Sequence, residues 1–367
     1  MFRNENSKPL RKTTKCFGLR RRRTKSGGGS EETRTGCLVC PRSCSMSRCG
    51  TWPSPVRTET PYTCCVHILL AMSLMCDCPL SLTGSHDSMS FCLDVSSPVL
   101  KSESRILRLI DRLFPCWTRT CVSRWATTQQ SVLSDQCDLG IRFLDLRIAR
   151  KPKGGLFFAH GIYTLMTVKE ALDELATWLD AHPKEIVVIS CSDFDSLTDE
   201  DHFSLVAFII ALFGKKLCFS QDTPTLRSCW SRGQQVIVSY DNQQMVLQHL
   251  ELWTGIPYWY ADSPDPKKVI AYLEDQKRGG RPAHFYVSGL NLTEDAPYVI
   301  LHPFQNMRKM TMRALSLLLR WASEQRPGCE VGGVNILCCD FVAASQFCSL
   351  VIGLNYKLLG RRALCST

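Results

Sequence analysis

What this 367-residue chain lacks bounds it first. No apolar run is long enough to span a bilayer: the longest, Val66 to Met75, covers ten residues and contains His67. That is about half of the ~20 residues a spanning helix needs. The amino-terminal segment is basic and polar, without the apolar core of a secretory leader. A cytoplasmic, reducing setting is therefore expected, with free thiols rather than a disulfide framework, although the chain holds 21 cysteines. Cys37-x-x-Cys40, with Cys44 and Cys49, lacks a second close pair, and no histidine follows until His67. That spacing argues against zinc.

A broad basic surface is missing too. The formal net charge is +10, but residues 1–25 alone hold ten Lys or Arg against one Glu. The rest is nearly neutral, so no nucleic-acid partner is expected for the body of the chain. No internal repeat is visible. Residues 1–78 contain the run Arg20 to Arg23, the Gly27-Gly28-Gly29 break and no apolar periodicity up to Thr63. They are expected to be a disordered, basic, cysteine-rich segment.

What is there begins with residues 140–161, read as GIRFLDLRIARKPKGGLFFAHG. Two apolar runs, Ile141–Ile148 and Leu156–Ala159, flank a basic, glycine-containing turn. Asp145 and Arg147, two apart on the first run, point to the same side of a strand. Such charges on an apolar strand cost free energy unless they are paired or used. The second run ends on His160. Upstream, Leu80–Thr83 reads as a short strand followed by Gly84-Ser85-His86-Asp87-Ser88-Met89. Two histidines, an arginine and two aspartates suit attack of a hydroxyl on a phosphodiester. One imidazole takes a proton, the other gives one, and the guanidinium neutralises the phosphoryl oxygens. Histidine fits both steps because its unperturbed pKa is about 6.5.

The order GSHDSM, GIRFLDLR, FFAHG resembles the X region of phosphatidylinositol-specific phospholipases C. The nearest likeness is to the short eukaryotic PI-PLC X domain-containing proteins, and it runs from about Pro79 to about Gly360. Helical periodicity at residues 168–181, with Thr167 and Glu170 as a capping box, and β-branched runs at 185–190, 234–240, 284–290 and 334–341 alternate as βα units. An amphipathic helix near residues 103–114 sets Ile106, Leu109, Ile110 and Leu113 on one face. The expected fold is α/β, a distorted or incomplete TIM barrel of near seven strands over residues 79–360, followed by a short tail at 361–367.

The resemblance implies the roles. His86 is the general base for the inositol 2-hydroxyl, His160 the acid for the diacylglycerol oxygen, and a cyclic inositol phosphate forms first. Arg147, Asp87 and Asp145 complete the site, and Asp340, ending the last strand, is placed to orient His86. Larger signalling members carry two acidic calcium ligands where this chain has Asp145 and Arg147. The Asp/Arg pattern is the bacterial one, so no metal or other cofactor is expected. Tyr240 and Trp259, with Tyr258 and Tyr260 beside them, are the expected substrate contacts. The bacterial lysine after the fourth strand and arginine after the fifth are missing: those regions read Ser190 to Asp193 and Ser239 to Asp241. The resemblance implies a phosphoinositide substrate, met as a monomer in transient contact with a membrane surface. The rivals are a catalytically weak barrel that binds acidic lipid, and a glycerophosphodiesterase, whose extra glutamate has no counterpart here.

Overall fold

The computed structural model describes residues 80–360, apart from 303, 329 and 331; the expectations for residues 1–78 and 361–367 lie outside it. Its sheet contains β1 (Leu82–Ser85), β2 (Phe143–Arg150), β3 (Leu156–His160), β4 (Ile162–Thr167), β5 (Val187–Asp195), β6 (Val236–Tyr240), β7 (Leu252–Trp253), β8 (Tyr258–Trp259), β9 (Val287–Gly289) and β10 (Ile336–Cys339). Eight of these run parallel to their neighbours in the order β7-β6-β5-β2-β1-β10-β9-β8. Among the described residues no pairing joins β7 to β8, so the sheet curls round without closing. The fold is an incomplete α/β barrel.

Helices α1 (Arg105–Leu113), α2 (Pro115–Ala126) and α3 (Leu133–Asp138) separate β1 from β2. Then come α4 (Val168–Ala181), α5 (Asp199–Phe213), α6 (Leu226–Arg232), α7 (Gln243–Gln248), α8 (Pro266–Arg278), α9 (Ala296–Leu301), α10 (Met307–Glu324), α11 (Phe347–Leu354) and α12 (Tyr356–Gly360). The strong sequence signals land where the residues put them. Thr167 and Glu170 cap α4 reciprocally, and its Val168, Leu172, Leu175 and Leu179 are buried. Thr198 and Asp201 do the same for α5. No described helix is long and apolar enough to cross a membrane.

Two expectations need correction. The β3 run is not a barrel strand: β3 pairs antiparallel with both β2 and β4, making a hairpin excursion above the sheet. The reason lies in the connection. A parallel neighbour needs a crossover of about a dozen residues, whereas only residues 151–155 join β2 to β3. Gly154 and Gly155 take φ of 94° and 86° in that turn. The first strand lies two residues later than expected, at Leu82–Ser85, and is fully in register with β10 from Leu82↔Ile336 to Ser85↔Cys339.

Helix α1 is mounted inside out. Ile106, Leu109 and Leu113 of its apolar stripe, with Phe114 and Trp117 beyond, keep between 55% and 72% of their surface exposed. Its Asp111 is buried instead, in an ion pair with Arg119 Nε of α2 at 2.7 Å.

Candidate active site

Strand β1 delivers His86 to the carboxyl rim. Its carbonyl accepts hydrogen bonds from Thr128 Oγ1 and Gln129 Nε2, both at 3.0 Å, and Gln129 Nε2 also donates to the Cys339 carbonyl. The ends of β1 and β10 are thereby clamped together. Asp340 follows β10, wholly buried, with its Oδ1 2.8 Å from His86 Nδ1. On the other side of the ring, Arg147 Nη2 lies 3.0 Å from His86 Nε2. A guanidinium nitrogen can only donate. The Nε2 lone pair must accept, so the proton sits on Nδ1 and points at Asp340.

Strand β2 supplies Asp145 and Arg147 from one face, as their spacing requires. Arg147 Nε lies 2.6 Å from Asp87 Oδ1, off the hydrogen-bonding direction, and 3.6 Å from Asp145 Oδ2. Arg147 Nη1 lies 3.1 Å from Asp193 Oδ2. Asp145 also accepts from the Asp87 backbone N–H at 3.1 Å, which holds the turn after His86 where Asp87 takes φ of 42°.

His160 comes from the hairpin rather than from a barrel strand. Its Nδ1 donates to the Ala126 carbonyl, at the end of α2, at 2.7 Å and lies 3.2 Å from Asp87 Oδ2. Its Nε2 is left unprotonated in the neutral ring. The two imidazoles face each other edge to face with centroids 6.2 Å apart. A small cavity lined by Asp87, Asp145, Arg147, Phe158 and His160 opens beside them. The Arg147 side chain remains 27% exposed.

The electrostatics follow from burial. Burial lowers His86 to about 4, with Arg147 adding to it and Asp87 and Asp145 opposing. Burial, then Arg147, lowers His160 to about 4 against the pull of the Ala126 carbonyl. Both rings are therefore neutral near pH 7. Burial raises Asp87 and Asp145 above the usual carboxylate range, with Arg147 opposing. It pushes Asp340 up to about 8 against His160 and Arg147. The tautomer of His86 nevertheless requires Asp340 as acceptor. Burial works to lower Arg147, but Asp87, Asp145 and Asp193 outweigh it and keep the guanidinium charged.

Ligand atoms of His86, Asp87 and Asp145 lie within 4.8 Å of one another, the one candidate metal cluster among the described residues. The set does not fit a divalent cation. Arg147 Nε already occupies the space between the two carboxylates, and an added ion would meet its charge at contact distance.

Tyr240 and Trp259 are corrections. Tyr240 is 1% exposed and its hydroxyl bonds His202 Nδ1 at 2.8 Å, on the side of β6 that faces α5. Trp259 is buried against Tyr286, ring centroids 4.6 Å apart. Alternation along β8 turns Tyr258 the other way, with its ring 6.2 Å from that of His86 and its hydroxyl donating to Asn291 Oδ1 at 3.0 Å. Tyr260 is partly exposed, accepting from Thr293 Oγ1 at 2.6 Å. Sequence reasoning also missed the structural roles of Thr128 and Gln129, which no motif flags. Asp193 lay in plain view as an acid where a base was sought.

A family model described as PI-PLC X 1 matches residues 121–263. The PI-PLC X domain-containing protein 1 of Danio rerio is 50% identical over 291 residues, covering 77% of this chain and 94% of its own length. Its Homo sapiens counterpart is 44% identical over 298 residues, covering 78% and 92%. Among solved structures, the phosphatidylinositol-specific phospholipase C from Listeria monocytogenes superposes with a TM-score of 0.53 at 18% identity, over 77% of this chain and 97% of that one. That likeness is one of fold. The sequence relatives go further: this chain belongs to the PI-PLC X domain-containing protein family.

Proposed function

We propose that the protein is a metal-independent phosphoric diester hydrolase of the phospholipase C type. The single observation behind this reading is the convergence of His86 and His160 beside one charged guanidinium, with the His86 lone pair aimed into the site. His86 Nε2 takes the proton of the inositol 2-hydroxyl, which attacks phosphorus. Arg147 neutralises the phosphoryl oxygens. Asp340 orients His86 and stabilises the imidazolium that forms. His160, protonated at Nε2, gives that proton to the diacylglycerol oxygen, and a cyclic inositol phosphate is released. Each imidazole contributes about 10²–10⁴ in rate. Water then opens the cyclic product with the two rings exchanging roles.

The lipid reaches the site from a membrane surface, with the protein acting as a cytoplasmic monomer. Support comes from the exposed stripe of α1 and the α1–α2 corner, flanked by Arg105, Arg108 and Arg112. Residues 101–124 hold six basic against two acidic side chains. An apolar face edged with arginines suits an anionic interface. The α2 helix that continues this face ends on the carbonyl holding His160.

Purified protein given phosphatidylinositol vesicles in excess chelator is expected to release cyclic inositol phosphate, and His160→Ala to abolish that release. Full activity in His160→Ala would remove it from the mechanism. The second reading, an acidic-lipid binder without turnover, is favoured by the carboxylate of Asp193 where a substrate-binding base was sought. Lipid binding with no product, unchanged in His86→Ala, selects it.

A further inference from the structure

Every nitrogen of Arg147 has an acceptor close by. Nε faces Asp87 and Asp145, Nη2 faces His86, and Nη1 faces Asp193. A phosphoryl group that takes Nη1 must compete with the carboxylate already paired there. The partners differ sharply in what displacement would cost. The side chains of Asp87, Asp145 and His86 are 3%, 5% and 7% exposed, while that of Asp193 is 64% exposed. Releasing a buried carboxylate strands a charge inside the protein; releasing Asp193 returns it to water. The ion pair at Nη1 is therefore the weak one.

The backbone is built to make that contact. Between Arg147↔Ser192 and Ala149↔Asp195, β5 advances three residues while β2 advances two, a bulge in the strand pair. Asp193 sits in it with φ of 46°. A bulge re-aims a side chain, and a non-glycine residue with positive φ is held there at a cost.

We propose that Asp193 is a built-in competing anion: it occupies Arg147 Nη1 in the free protein and swings into solvent when a phosphoryl group binds, setting the affinity of the site for anionic ligands. This rests on the reading of Arg147 as the phosphoryl anchor. Asn tolerates the same backbone region, so Asp193→Asn removes the charge and keeps the bulge; Asp193→Gly removes both charge and backbone cost.

The test titrates the full-length protein with inorganic phosphate, following the imidazole resonances of His86 and His160, and measures KM and kcat on phosphatidylinositol vesicles. Both variants are expected to bind phosphate about two- to fivefold more tightly, the range of an exposed ion pair. KM should fall by a similar factor with kcat little changed, and the gain should shrink as salt is raised. Phosphate affinity that is unchanged or weakened in both variants overturns the proposal, even if the wild-type protein hydrolyses lipid. Tighter phosphate binding in both variants from a protein that turns over no lipid supports the competing anion and removes the hydrolase reading instead.

Discussion

Asp340 Oδ1 and His86 Nδ1, 254 positions apart in the chain, meet at 2.8 Å at the adjacent ends of β10 and β1. The contact suits the Nδ1–H tautomer, in which the other nitrogen accepts from Arg147 Nη2. Asp340→Asn replaces the acceptor with an amide whose NH₂ favours the opposite tautomer. A fall in kcat of about 10²–10⁴ is expected with folding intact by circular dichroism. A rate within a fewfold of wild type would show that His86 needs no orientation.

Arg147→Lys keeps a charge but loses the fork that touches Asp87, Asp193 and His86 together. We expect kcat/KM to drop by about 10²–10³. Added calcium should not restore it. Recovery with calcium would mean that the carboxylates, once freed, form the metal site that the guanidinium otherwise fills.

The acid and base have opposite needs. His86 works deprotonated and His160 protonated, yet burial lowers both to about 4 in the free protein. Above about pH 4 the base is ready while the acid progressively loses its proton. The profile of kcat/KM, which reports the free protein, should therefore fall as pH rises from about 5 to about 8. A bound phosphodiester anion raises His160, so the kcat profile should extend to higher pH. A kcat/KM that climbs over that interval would contradict His160 as the acid.

Phe114→Ala with Trp117→Ala should weaken binding to anionic vesicles at least tenfold, since each side chain is more than 60% exposed and free to insert. Turnover of a water-soluble inositol phosphodiester should not change. Equal losses on both substrates would place these side chains in the fold rather than at the interface.

Tyr240→Phe removes a buried hydroxyl from His202, on the far side of β6 from the site. It should lower stability by about 1–3 kcal/mol in denaturant unfolding and leave KM unchanged. A raised KM would return Tyr240 to the substrate.

Local signals in the chain were enough for much of this. The capping boxes at Thr167 and Thr198, the β-branched runs and the period-two placement of Asp145 and Arg147 depend on neighbours a few residues away, and each appears where its residues require. The faces of Tyr240 and Trp259 were not: a one-residue shift in register turns a strand's side chains over, and both strands are apolar on each side.

By itself the sequence determined the α/β alternation and the family, and it marked His86, Asp87, Asp145, Arg147, His160 and Asp340 as candidates. Only the tertiary structure decided that His160 arrives on a hairpin, that the apolar stripe of α1 faces outward, and that Asp193 pairs with Arg147 Nη1. Those outcomes depend on contacts between residues far apart in the chain, and no local pattern encodes which of two faces another element will cover.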